Sequence, residues 1–387
     1  MPFERVEKPI PGAEAFEQTS DAALLSQAAI LLSVGAHMRG KLEGIPAAEF
    51  EELGVPRVEA QWFKAKEITL DPTAVRGHMI RQLGERSFPA DIHAPVQGRT
   101  TSQIFRILTA EPSALWTAGL LEACLRHPKE LVRVAAAAAY HGFTTEKERI
   151  IEILLQGTYS EEPLVRDLAA TALAQAEPRH TQLTGLQSKA KAAGAGQASH
   201  TTLLVHGTLA RQAAWWQPGG DFHTYLTGLL PTLPRVPQWD APYGAQDRFD
   251  WTGGYTDVLR SDAAEQLLQW VMGHGAQGLD LITHSYGGNV AMLATNGGLE
   301  VGELVLLSCP VLPATYFADF ARVHRRVVSF RVHMDVVLLL DSFLSGALPE
   351  FTDPRIEEHT LALWFDHSAT HEPDVWNNPK HDLPGRL

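Results

Sequence analysis

The stretch Leu279-Asp-Leu-Ile-Thr-His-Ser-Tyr-Gly-Gly-Asn-Val-Ala-Met-Leu293 constrains the fold more than any other part of the chain. Leu279, Leu281 and Ile282 form a short apolar run, suited to a parallel strand covered on both faces. Thr283-His-Ser-Tyr-Gly287 reads as a turn, and Gly288-Asn-Val-Ala-Met-Leu293 as the start of a helix. A strand that enters a helix through so few residues must turn sharply. Ser285 then stands above the strand end, the helix aims its N-terminal N–H groups at it, and Gly287 lets helix and strand pass closely.

That order matches the nucleophile elbow of serine hydrolases, usually written G-x-S-x-G, with Thr283 at the first glycine position. A second strand, Thr201-Thr-Leu-Leu-Val-His-Gly-Thr208, is apolar and ends in His-Gly. On these residues the chain from about His200 onward resembles the α/β-hydrolases, in particular small lipase- and esterase-like members that begin at the third strand of the full fold. The resemblance implies a minimal hydrolase domain over 200–387. Its parallel sheet should have about six strands: the two above, one ending within Arg248–Gly254, then Glu303–Ser308, Val327–Val332 and Thr360–Phe365. Asp257–Val271 should be an amphipathic helix, with Leu259, Ala263, Leu267 and Val271 at helical spacing.

A serine hydroxyl is a weak nucleophile at neutral pH and needs a base, which needs an acid to orient it. In the family the chain order is Ser, acid, His. The resemblance therefore implies Ser285 as nucleophile, Asp335 after the Val327–Val332 strand as acid, and His367 after the last strand as base. Asp341 is the alternative acid and His371 the alternative base. The oxyanion hole would use the main-chain N–H groups of Tyr286 and Thr208, with the Thr208 hydroxyl as a third candidate donor. His206 belongs to the His-Gly turn, and the His284 side chain is expected to point away from the attacking face. This chemistry needs no cofactor. Asp240, Asp247, Asp250 and His223 lack metal-motif spacing, so no metal is expected.

Before residue 187 the chain reads as helical. Thr19-Ser-Asp21 caps a helix running to Met38 and ending at Gly40, and further helical patterns cover Ala47–Leu53, Val58–Ala65 and Ala74–Leu83. Leu131-Val-Arg-Val-Ala-Ala returns as Leu164-Val-Arg-Asp-Leu-Ala, 33 residues on (164 − 131), each after a proline-containing turn. This resembles HEAT-type repeats, clearest over 113–177, with Ala74-Val-Arg-Gly as a weaker copy. The expected organisation is thus an all-α helical domain (1–186), a small-residue linker (187–199) and the α/β domain (200–387).

A net charge of −13 disfavours nucleic acid or an anionic membrane surface as partner. Two cysteines in different halves suit a reducing, cytoplasmic setting, and neither a secretory signal nor a transmembrane segment is expected. The functional expectation is an ester hydrolase acting on a small-molecule or lipid ester, with a protein partner possible on the helical half. The rival expectation is a scaffold whose hydrolase module is regulatory or inactive.

Overall fold

The computed structural model describes residues 3–38, 47–55, 98–112, 114–141, 144, 147–178, 180–181, 183, 202–235, 238–244, 247–276 and 278–387. The patterns expected at Val58–Ala65 and Ala74–Leu83, the stop at Gly40 and the linker 187–199 lie outside these residues. The chain divides into two compact units. One comprises Met1–Glu177, Met334–Pro349 and Leu363–Asp366, the other Pro178–His333, Glu350–Ala362 and His367–Leu387.

The first unit is helical. Its helix Asp21–Met38 is apolar on nearly every face, with Leu24, Leu25 and Ala28 through Leu32 all buried, as a central helix must be. It packs against the helix Glu130–Tyr140, and the helix Val336–Ser345 packs on it and on Pro163–Ala176. The 33-residue echo is structural. Helices Ala114–Cys124 and Glu130–Tyr140 recur as Lys147–Gly157 and Pro163–Ala176, the starts displaced by 33 (147 − 114 and 163 − 130). The turn chemistry repeats too. Arg133 Nη1 donates to the carbonyls of His127 and Pro128 at 2.8 Å each. Arg166 Nη1 donates to those of Ser160 (2.7 Å) and Glu161 (2.9 Å). A guanidinium thus holds the turn carbonyls that no helix satisfies, and the fully buried alanines Ala135, Ala136, Ala137 and Ala139 allow close helix packing.

The second unit is built on a five-stranded sheet in the order β1 (Thr202–Val205), β2 (Leu279–His284), β3 (Val301–Leu307), β4 (Val327–His333), β5 (Ile356–Trp364). Pairings from β1 to β4 are parallel, with Leu203 opposite Leu281, Ile282 opposite Val305 and Val305 opposite Val328. Every residue of β1, β2 and β3 is buried, which explains their unbroken apolar character. The helices Asp257–His274 and Tyr286–Asn296 lie between β1 and β2 and between β2 and β3 in the chain.

Among the described residues the sheet has five strands where six were expected. Arg248–Gly254 is not a strand, because its polar groups are turned to the loop after β1. Trp251 Nε1 donates to the His206 carbonyl at 2.9 Å, and the Gly253 carbonyl accepts the Leu209 N–H at 2.9 Å. Gly253 adopts φ 67°, outside extended geometry. On the side of β1 away from β2, the described residues make one isolated bridge, Thr202 to Pro242, and proline has no N–H with which to extend it.

At the N-terminal ends of β2 and β3, buried Asp280 and Glu303 are matched by arginines. Arg235 and Arg326 reach Glu303 at 2.7 and 3.0 Å, while Arg235 and Arg325 pair with Asp280. Burial raises the Glu303 carboxyl and the arginines oppose that shift, as a buried carboxylate requires. No helix among the described residues is long and apolar enough to cross a membrane.

Candidate functional site

Ser285 alone joins β2 to the helix Tyr286–Asn296, with φ 52° and ψ −134°. A non-glycine residue held there stores on the order of 1–3 kcal/mol of backbone strain. The surroundings over-determine it. The Ser285 N–H donates to the Leu307 carbonyl at 2.8 Å, and its own carbonyl accepts the Gly288 N–H at 3.0 Å. A Cβ on Gly287 would stand 2.5 Å from the Val205 oxygen and 2.6 Å from that of His206, so only glycine permits this crossing. Thr283, where the pattern has a glycine, is accommodated because its hydroxyl donates to the Val305 carbonyl of β3 at 2.9 Å. Ser285 is 7% exposed.

The loop after β1 closes one side of the serine. A Cβ on Gly207 would lie 2.8 Å from the Ser285 Cβ and 3.4 Å from its Oγ. The next residue, Thr208, keeps its Oγ1 buried without a hydrogen-bond partner. His206 lies between Trp216 and Trp251, at ring distances of 4.5 and 5.5 Å. Its Nδ1 donates to the Gly207 carbonyl at 2.9 Å, and burial lowers its pKa to about 4.

Three imidazoles gather around the residue before the serine. The His284 ring is 4.6 Å from that of His367 and 4.5 Å, edge-on, from that of His371. His371 is stacked on Trp215 at 4.2 Å and 11°, and its Nδ1 is buried with no hydrogen-bond partner. Burial, reinforced by the neighbouring His367, lowers the His371 pKa to about 3, so it is neutral at physiological pH. The loop carrying His367 and His371 is pinned through Thr370, whose hydroxyl is 3.2 Å from that of Ser308 and whose carbonyl accepts Trp376 Nε1 at 2.9 Å. The Trp215-Trp216 pair in sequence suggests a helix near the mouth of the site, and Trp215 lies in the short helix Ala214–Trp216, stacked on His371. His284 turns its Nε2 to the His367 carbonyl, 3.1 Å away.

Tyr286, the first residue of its helix, is buried and presents its ring to the Arg260 guanidinium at 3.7 Å. Arg260 in turn pairs with Asp257 at 2.7 Å. Both candidate acids belong to the helical unit. Asp335 is buried and caps the helix Val336–Ser345, its Oδ1 accepting the N–H groups of Val337 (3.0 Å) and Leu338 (3.1 Å). Asp341 lies within that helix, and its Oδ1 accepts the Ser345 hydroxyl at 3.0 Å. The four scattered groups weighed for a metal do not converge. Asp250 forms a two-pronged pair with Arg211 (2.7 and 3.1 Å), and His223 Nε2 donates to the Tyr243 carbonyl at 2.7 Å. Among the described residues no group of three or more His, Cys, Asp or Glu side chains is placed to hold a metal ion.

No protein-family model matches the chain, and no curated protein does. Among solved structures it is similar to an uncharacterized protein from Bacillus cereus ATCC 10987, with 11% identity over 67% of this chain and 88% of that one. The TM-score of 0.21 is too low for that likeness to bear on fold or function.

Proposed function

We propose that the chain is a serine hydrolase of carboxylic esters, of the α/β-hydrolase kind, with an N-terminal HEAT-like helical domain. The observation that carries the reading is the backbone of Ser285, a non-glycine residue at φ 52° and ψ −134° between a buried parallel strand and a helix. Strain of this kind persists where a side chain must be displayed, and here the side chain is a hydroxyl.

In this reading Ser285 Oγ attacks the ester carbonyl carbon while His367 takes its proton. The tetrahedral oxyanion receives the N–H groups of Tyr286 and Thr208, and the buried Thr208 hydroxyl is a third donor. Collapse breaks the C–O bond, and the alcohol leaves with the proton from His367. Water, deprotonated by the same imidazole, then releases the acid and restores Ser285. Asp335 orients His367 and stabilises its charged form. His367 is favoured over His371 as base because it closely follows the last strand and precedes the small residue Ser368, as the resemblance implies. Asp335 is favoured over Asp341 because two main-chain N–H groups already fix its buried carboxylate at a helix N-terminus.

The substrate is a small-molecule or lipid ester, and the reaction needs no cofactor. Cys124 and Cys309 are both buried and neither is in a disulfide, which suits a cytoplasmic setting. The repeated helix pairs, with Arg133 and Arg166 in matching roles, support a partner-binding role for the helical domain beside the catalytic one. Labelling with a fluorophosphonate probe tests the reading. Labelling of wild type that is lost in Ser285→Ala is expected, and an unlabelled wild type would favour a scaffold instead.

A further inference from the structure

Resting on the hydrolase reading, we propose that His284, the residue before the serine, is a positioning residue whose imidazole fixes the main chain of His367 against the end of β2. The contact is the one from His284 Nε2 to the His367 carbonyl oxygen, 3.1 Å long and spanning 83 residues of sequence. A carbonyl only accepts, so Nε2 carries the hydrogen and Nδ1 the lone pair. That Nδ1 is buried and makes no hydrogen bond.

The ring has no freedom to serve otherwise. His284 is 5% exposed and is enclosed by His371 edge-on at 4.5 Å, Trp215 at 5.4 Å and 76°, and His367 at 4.6 Å. Burial, with His371 and His367 adding to it, depresses its basicity well below the ordinary histidine value, so it stays neutral in one tautomer. One end of this side chain is rooted at the last residue of β2, beside the strained Ser285 turn. Its other end holds the loop that bears His367. Productive geometry tolerates only about 0.5 Å of drift between such groups. A rigid imidazole that bridges their two segments supplies that restraint at a lower entropy cost than a longer flexible side chain.

The test is steady-state hydrolysis of p-nitrophenyl acetate by the full chain, wild type against His284→Phe and His284→Gln. Phenylalanine keeps the ring packing and removes the donor. Glutamine restores an N–H near the position of Nε2. The expected result is a kcat lowered about 10–100-fold in His284→Phe with KM within about twofold, and at least half of the loss on a logarithmic scale recovered in His284→Gln. An unchanged kcat in His284→Phe, or equal losses in both variants, would overturn the proposal.

Should the phenylalanine variant fail to fold, ¹⁵N–¹H correlation of the wild-type imidazoles decides. His284 protonated at Nε2 with slow proton exchange supports the proposal, and protonation at Nδ1 overturns it. Ser285→Ala separates the two levels. If turnover survives that substitution, or if the wild type is inactive, the hydrolase reading falls and takes this proposal with it. If turnover is lost in Ser285→Ala but His284→Phe behaves as wild type, only the role of His284 falls.

Discussion

Gly207 lies directly against Ser285, so close that a Cβ at Gly207 would stand 2.8 Å from that of the serine and 3.0 Å from the His284 carbonyl oxygen. Neither neighbour is the tip of a flexible side chain, so the backbone itself must shift if a methyl group is added. Gly207→Ala is expected to lower ester turnover by about 10–100-fold, the usual effect of displacing a reacting group by a fraction of an ångström. Steady-state kinetics alongside a melting curve will check this, since the change should reach kcat even where the fold survives.

Ser285→Ala should abolish turnover and covalent labelling. Ser285→Gly should do the same, yet be more stable than Ser285→Ala by about 1 kcal/mol, because glycine relieves the positive-φ strain while alanine keeps it. Urea denaturation of the two variants measures the difference, and equal midpoints would argue that the turn is unstrained.

The two candidate bases should separate sharply. His367→Ala is expected to lose about 10³-fold or more in kcat, and Asp335→Asn up to about 10⁴-fold. His371→Phe keeps the stack on Trp215 and should stay within about tenfold of wild type. A larger loss at His371 than at His367 would move the base, and a larger loss in Asp341→Asn than in Asp335→Asn would move the acid.

Acid should destabilise the fold through its buried imidazoles. His206 and His371 have folded-state pKa values of about 4 and about 3, below the ordinary 6.5. Between those values the unfolded chain binds more protons, so stability is fully present above pH 6.5 and declines as pH falls towards the folded pKa. Each imidazole accounts for up to about 3 kcal/mol of loss at pH 4.5. The melting temperature should therefore fall from pH 7 to pH 4.5, and His371→Phe should flatten that fall. A wild-type curve flat over this range would contradict the burial of these rings.

In the helical unit, Arg133→Ala and Arg166→Ala each remove a donor that serves two turn carbonyls. Each should cost about 1–2 kcal/mol by urea denaturation, with similar values because the two turns are built alike. A cost at one position and none at the other would show that the turns are not equivalent.

Much of this architecture could be read from the residues. The apolar runs at Thr202–Val205, Leu279–His284, Val301–Leu307 and Val327–His333 are strands because buried parallel strands need no polar face. The Arg248–Gly254 segment misled because Phe249 and Trp251 are buried like strand residues. They are buried under a loop, however, and the nearby hydrogen bonds go to His206 and Leu209.

The sequence by itself determined the sharp turn at Ser285 and the 33-residue recurrence of helix pairs. Both follow from local geometry: glycine spacing decides where a helix can cross a strand, and a repeated Leu-Val-Arg start repeats the same helix and turn cap. Only the tertiary structure decided what surrounds the serine. That His284 holds the His367 carbonyl across 83 residues, that Trp215 covers His371, and that His371 lacks a partner at Nδ1 all depend on side chains brought together from distant segments. Chain spacing cannot encode such meetings, because a histidine next to a serine in sequence can face either way until the sheet and the following loops have packed around it.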